Sequence, residues 1–187
     1  ILKLAAQYSG YPEHYFKEAD ETLQGNLIEK QLLALPKKFH TSGHLSRFVS
    51  DDRLFDFQKT IIERLADSEN CIIVGKCADY ILKDYDNVVS VYVEAPRAYC
   101  LQRVLERMDD ITLEEADELI TRTDKYRADY YKYYTGGNYW TNPVNYDITI
   151  NNARLGDEKS VQLIIDCMRI KFGEEWYQDY MKSIGKL

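Results

Sequence analysis

Arginine and lysine gather in this chain where phosphate chemistry could use them. Arg103 and Arg107 lie four apart, on one face of a helix, and Arg122, Lys125 and Arg127 follow in the next helical pattern. A guanidinium grips phosphate oxygens through two parallel hydrogen bonds and does not lose its charge. Phosphoryl transfer asks little covalent chemistry of a protein; catalysis is positioning plus neutralisation of charge on the moving group. The same residues could equally form a solvated helix laced with ion pairs to Glu106, Asp109, Glu114 and Glu118.

A second cue is the run CIIVGKCADYIL at residues 71–82. Its first half is short, apolar and β-branched, which predicts a buried parallel strand. Gly75 lets the backbone turn sharply or approach a ligand, and ligands of open α/β sheets bind beyond the C-terminal strand ends. Lys76 therefore stands where an anionic group would lie, although a strand followed by a surface lysine reads the same way. The tyrosine run at 129–134 could stack on a base or pack a helix against the core. His14, His40 and His44 are widely separated, and the cysteines have no metal-ligand spacing, so no metal site is expected. A Gly-x-Ser-x-Gly elbow and a Gly-x-Gly-x-x-Gly loop are both missing, which removes support for acyl transfer and for a dinucleotide-binding oxidoreductase.

The elements that would position these residues alternate. Helices are expected over 1–8, 12–23, 51–67 and 78–83, from Pro96 to Arg107, from a Thr112/Glu115 capping box to Tyr134, and over 159–171, with a helical tail after 174. Strands are expected over 71–75, 88–93 and 146–150, as neighbours in one parallel sheet. Residues 24–50 read as a long irregular region. The 187 residues suit a single domain. The net charge of −7 speaks against nucleic acid and anionic membrane as partners, and no stretch is apolar enough to span a bilayer. Cys71, Cys77, Cys100 and Cys167 suggest reduced thiols in a cytoplasmic protein. The oligomeric state is not encoded in any pattern.

Three segments in order, CIIVGKCADYIL, RTDKYRADYYKYYTG and NYDITINNARLG, resemble the cytidylate-kinase-like proteins of bacteria, within the P-loop nucleoside monophosphate kinase group. The opening ILKLAAQYSGYPEHYFKEADE is similar to that family's first helices. The resemblance implies an α/β fold of P-loop NTPase type, a parallel sheet flanked by helices, with 24–50 as an insertion or acceptor-binding region and 103–135 as a helical lid. It implies phosphoryl transfer from ATP, with Mg, to a nucleoside monophosphate. By the same resemblance Lys76 and Asp79 would bind the acceptor, and Lys76 replaces the usual arginine. Asp124 and Arg127 match the lid's Asp-x-x-Arg, with Arg122 and Lys125 as companions, and Asn151 and Asn152 would lie near the donor. No Gly-x-x-x-x-Gly-Lys-Ser/Thr loop occurs. The chain begins at Ile1, not Met, so the first strand and that loop are expected upstream. The alternative is a non-catalytic nucleotide-binding or protein-interaction module derived from this fold.

Overall fold

The computed structural model describes residues 51–185, with side chains from Phe55 onward, and divides the chain into two compact units, Ile1–Leu82 and Lys83–Leu187. The expected helices over 1–8 and 12–23 and the region 24–50 lie outside the described residues.

In the first unit, helix α1 (Asp51–Ser68) buries Gln58, Ile61 and Ile62. The spacing is that of one helical stripe, i, i+3 and i+4, and the short helix α2 (Ala78–Ile81) packs against α1. The segment between them departs from expectation. Cys71 to Val74 carries no regular secondary structure, and Ile72 and Val74 are 94% and 70% exposed. β-branched residues favour a strand only where a neighbouring strand supplies a ladder. The unit's other described residues are helical or irregular, so none of them provides one.

In the second unit, strand β1 (Val91–Glu94) lies parallel to β2 (Ile148–Asn151), in the register Val91↔Ile148 to Glu94↔Asn151. Helices α3 (Arg97–Arg107) and α4 (Leu113–Tyr134) cross over between them. A 3-10 turn at Pro143–Asn145 leads into β2, and α5 (Asn152–Leu155), α6 (Asp157–Phe172) and α7 (Glu174–Ser183) follow it. The chain is thus α/β, with a small parallel two-stranded sheet among helices; the expected third strand, 71–75, is not a strand. Ile150 fills the core at 1% exposure, with Ala116 and Tyr131 of α4 also buried.

Local chemistry explains the helix ends. Thr112 and Glu115 form the expected capping box: the Glu115 N–H donates to Thr112 Oγ1 (3.2 Å) and the Thr112 N–H to Glu115 Oε2 (2.9 Å). At the other end Gly136 takes φ +69°, and the Gly137 N–H donates to the Lys132 carbonyl at 2.8 Å. Arg97 ties α3 to α4, donating to Asp117 Oδ1 (2.8 Å) and Thr121 Oγ1 (2.6 Å).

The strands start at a polar lock. Asp147 accepts from the Ser90 N–H (2.8 Å), the Ser90 hydroxyl (3.1 Å) and Lys171 Nζ (2.9 Å). Burial pushes the Asp147 carboxyl up, but the Ser90 N–H, the Lys171 ammonium and the Ser90 hydroxyl together hold it below its ordinary range. A depressed carboxyl stabilises the fold above its unfolded-state pKa and loses that contribution as pH falls through the folded-state value. Because the group is solvent-exposed, Asp147→Asn is therefore expected to lose only about 0.5–1 kcal/mol at pH 7. Below about pH 4 the gap to the parent should narrow. Urea titrations at pH 7 and pH 3 check this, and an unchanged gap would remove the lock.

No helix among the described residues is long and apolar enough to cross a membrane. The four cysteines form no disulfide.

Candidate active site

Midway along α4 the sequence places two charged residues three apart, which brings them to one face. Arg127 Nη1 lies 3.7 Å from Asp124 Oδ1, with both side chains partly exposed. The Arg127 guanidinium also sits 5.8 Å from the Trp140 ring centroid. Trp140 in turn meets the edge of Tyr92 on β1 at 5.7 Å, and Tyr92 stacks on Tyr146 at 5.2 Å. The Tyr146 hydroxyl closes the group by donating to the Trp140 carbonyl at 2.6 Å. Three aromatic residues, from a strand, a loop and the end of the 3-10 turn before β2, thus form the wall on which Arg127 rests.

The electrostatics agree with this grouping. Burial pushes the Tyr92 hydroxyl up, as do the charges of Glu94 and Asp124, while Arg127 pulls it down. Glu94 is the last residue of β1. Arg127 and Asp124 thus both act on Tyr92, the second residue of β1.

The remaining expected residues are placed less uniformly. Arg122 has its Nε shut off from solvent, with no acceptor among the described residues. Lys125 is exposed, and on a regular helix it points about 160° away from Arg127. Arg122, Lys125 and Arg127 thus leave α4 in different directions. Asn151 caps α5, accepting from the Arg154 N–H at 3.3 Å. Asn152 is occupied by Asp157 (2.8 Å) and by the Ser160 hydroxyl (2.7 Å). Arg103 pairs with Glu106 at 3.2 Å, the surface ion-pairing that spacing allowed.

Lys76 and Asp79 belong to the first unit. Lys76 is 4% exposed, which excludes a solvated surface lysine, and burial pushes its ammonium down to about 8 despite the opposing influence of Cys77. Gly75, Lys76 and Cys77 have φ of +70°, +61° and +54°. Non-glycine residues in this left-handed region cost roughly 1–2 kcal/mol each, and such strain gathers where geometry serves a site. Asp79 stands in the first turn of α2.

Sequence reading missed Trp140, Tyr92 and Tyr146. The residues fall in three separate segments, and only the fold joins them. The tyrosine run divides: Tyr131 is buried, while Tyr130 meets Tyr126 and Tyr134 along the helix at 6.2 and 4.7 Å.

Comparison with known proteins places the chain. The model of the cytidylate kinase-like family matches residues 1–154, and the chain belongs to that family. A crystal structure of an uncharacterized protein from Eubacterium ventriosum ATCC 27560 is similar, with 26% identity and a TM-score of 0.59 over 66% of this chain and 77% of that one. No curated protein matches. The family match ends within α5, so α6 and α7 lie beyond it.

Proposed function

We propose that the protein transfers the terminal phosphoryl group of a nucleoside triphosphate to a nucleoside monophosphate, on a P-loop kinase fold. The observation that carries this reading is Arg127 beside Asp124 on its aromatic wall, which reaches β1 at Tyr92, in a chain of the cytidylate kinase-like family. A pair as exposed as Arg127–Asp124 is worth about 0–1 kcal/mol, whereas a charge-assisted bond to phosphate is worth about 1.5–3 kcal/mol. Phosphate therefore wins the guanidinium, and Asp124 keeps it aimed until phosphate arrives. Trp140 supplies an apolar floor that leaves the in-plane N–H groups free for oxygen.

Arg122 fits an anion as well, because its Nε lacks an acceptor among the described residues. ATP and Mg, when bound, supply the transferable group and neutralise its charge. Mg would be held chiefly by phosphate oxygens and water. Lys76 would hold the acceptor phosphate and Asp79 its sugar or base. Asn151 and Asn152 keep α5 in place behind the donor.

The test is a coupled assay of the full-length protein with ATP, Mg and a panel of pyrimidine and purine monophosphates. ADP release that depends on a monophosphate, with a cytidylate preferred, is expected; release that no monophosphate alters would overturn the reading. Trp140→Leu is expected to lower turnover roughly three- to thirty-fold, the range of a cation–π contact, while Trp140→Phe retains most of it. Equal losses in the two variants would assign Trp140 to packing alone.

A further inference from the structure

Helix α3 carries two apolar sides. Cys100, Val104 and Met108 mark one, and Ala98, Leu101 and Leu105 repeat at i, i+3 and i+7 along another. The second side is not covered. With Leu113, the first residue of α4, it lines an open groove between the two helices. The groove consists of two depressions of about 450 and 710 Å³ that share Leu101 and Leu113. Leu113 is 61% exposed and Leu105 38%. A shallow, largely apolar surface open to solvent suits the ridge of a helix better than a small molecule, which needs enclosure.

Its rim is acidic. Glu114, Asp117 and Glu118 line the α4 side. Asp117 is neutralised by Arg97. Among the described residues no hydrogen bond or ion pair engages the Glu114 or Glu118 carboxylate, and the two stand four apart on one face. Glu114 favours the helix dipole from the first turn of α4, yet both carboxylates flank exposed leucines and keep their hydrogen-bonding capacity.

We infer that the α3–α4 groove docks a basic amphipathic helix of a partner protein. Leucine-like anchors at i, i+3 or i+4, and i+7 would fill the trough, and flanking lysines or arginines would meet Glu114 and Glu118. Charge complementarity selects this occupant over the others. Anionic lipid and nucleic acid would be repelled by the rim. A second copy would set two acidic rims together, in a chain whose net charge is already −7.

The probe is a fluorescein-labelled peptide of leucine and lysine with leucines at helical spacing, titrated with the full chain in fluorescence anisotropy. Two controls have the same leucines: one scrambles them to an alternating pattern, and one replaces lysine by glutamate. The helical basic peptide is expected to bind at micromolar concentration, and both controls at least tenfold more weakly. Leu113→Asp and the double variant Glu114→Lys/Glu118→Lys should each weaken it at least tenfold. Glu175→Lys/Asp179→Lys, the same charge change on α7, should alter it less than twofold. Circular dichroism verifies that each variant is folded. Equal weakening by the two double variants would reduce the effect to net charge and overturn the proposal. Absence of binding would do so too, as would a dimer in sedimentation that Leu113→Asp dissolves.

Discussion

Arg127→Ala is expected to lower phosphoryl-transfer turnover by about a thousand-fold, the low end of what an arginine facing a transferring phosphoryl supplies. The fold should hardly notice. The Asp124 pair is half exposed and the Trp140 contact lies at the surface, so together they contribute about 1–2 kcal/mol at most. The loss should fall on kcat more than on either Michaelis constant, because the guanidinium acts on charge that develops during transfer. Arg127→Lys keeps the charge but lacks the two-pronged geometry, so it should recover only part of the rate. Steady-state kinetics with ATP and the best monophosphate decide the matter. A fall of less than tenfold in Arg127→Ala would remove Arg127 from the chemistry.

Much of this arrangement was legible in the residues because its causes are local. The capping box at Thr112 and Glu115, the proline at 96 before α3 and the glycines after Tyr134 fix helix ends through bonds within a few residues. The parallel pairing of β1 with β2 followed from two apolar runs separated by helices. What escaped depends on distant partners. The run at 71–74 has strand composition but no ladder among the described residues, since composition does not name a neighbour. Trp140 and Tyr92 meet across 48 positions, with nothing in either segment to announce the contact. Asn151 and Asn152, which the family likeness sets near the donor, bond locally to Arg154, Asp157 and Ser160, work that any helix start could ask of asparagine and that leaves the donor role to experiment. The family itself was legible from three segments in order, and the model match over residues 1–154 agrees.

Lys76 yields the second large effect, and its sign follows from burial. Its folded-state pKa is about 8, against 10.5 unperturbed, with desolvation as the main cause. At pH 7 the ammonium remains about ten-to-one protonated, so it can still bind an acceptor phosphate. Below pH 8 it is charged in both folded and unfolded chains, and the fold bears the full cost of burying charge. Between pH 8 and 10.5 the folded chain sheds the proton while the unfolded chain keeps it, so stability rises with pH. The span corresponds to roughly 3 kcal/mol. Lys76→Met is expected to abolish this rise and to gain part of that amount at pH 7. It should also raise the acceptor Michaelis constant by about one to two decades and leave the donor's little changed, since one charge-assisted contact is lost. In the parent protein kcat/KM for the acceptor should fall above about pH 8, because that ratio reports the free enzyme. Lys76→Arg, which stays charged, should lack that alkaline limb. Denaturant titrations from pH 6 to 10 and acceptor kinetics over the same range test the two halves separately. A flat stability difference between parent and Lys76→Met would show that burial does not perturb the ammonium. An acceptor Michaelis constant unmoved by Lys76→Met would show that its charge never meets the acceptor.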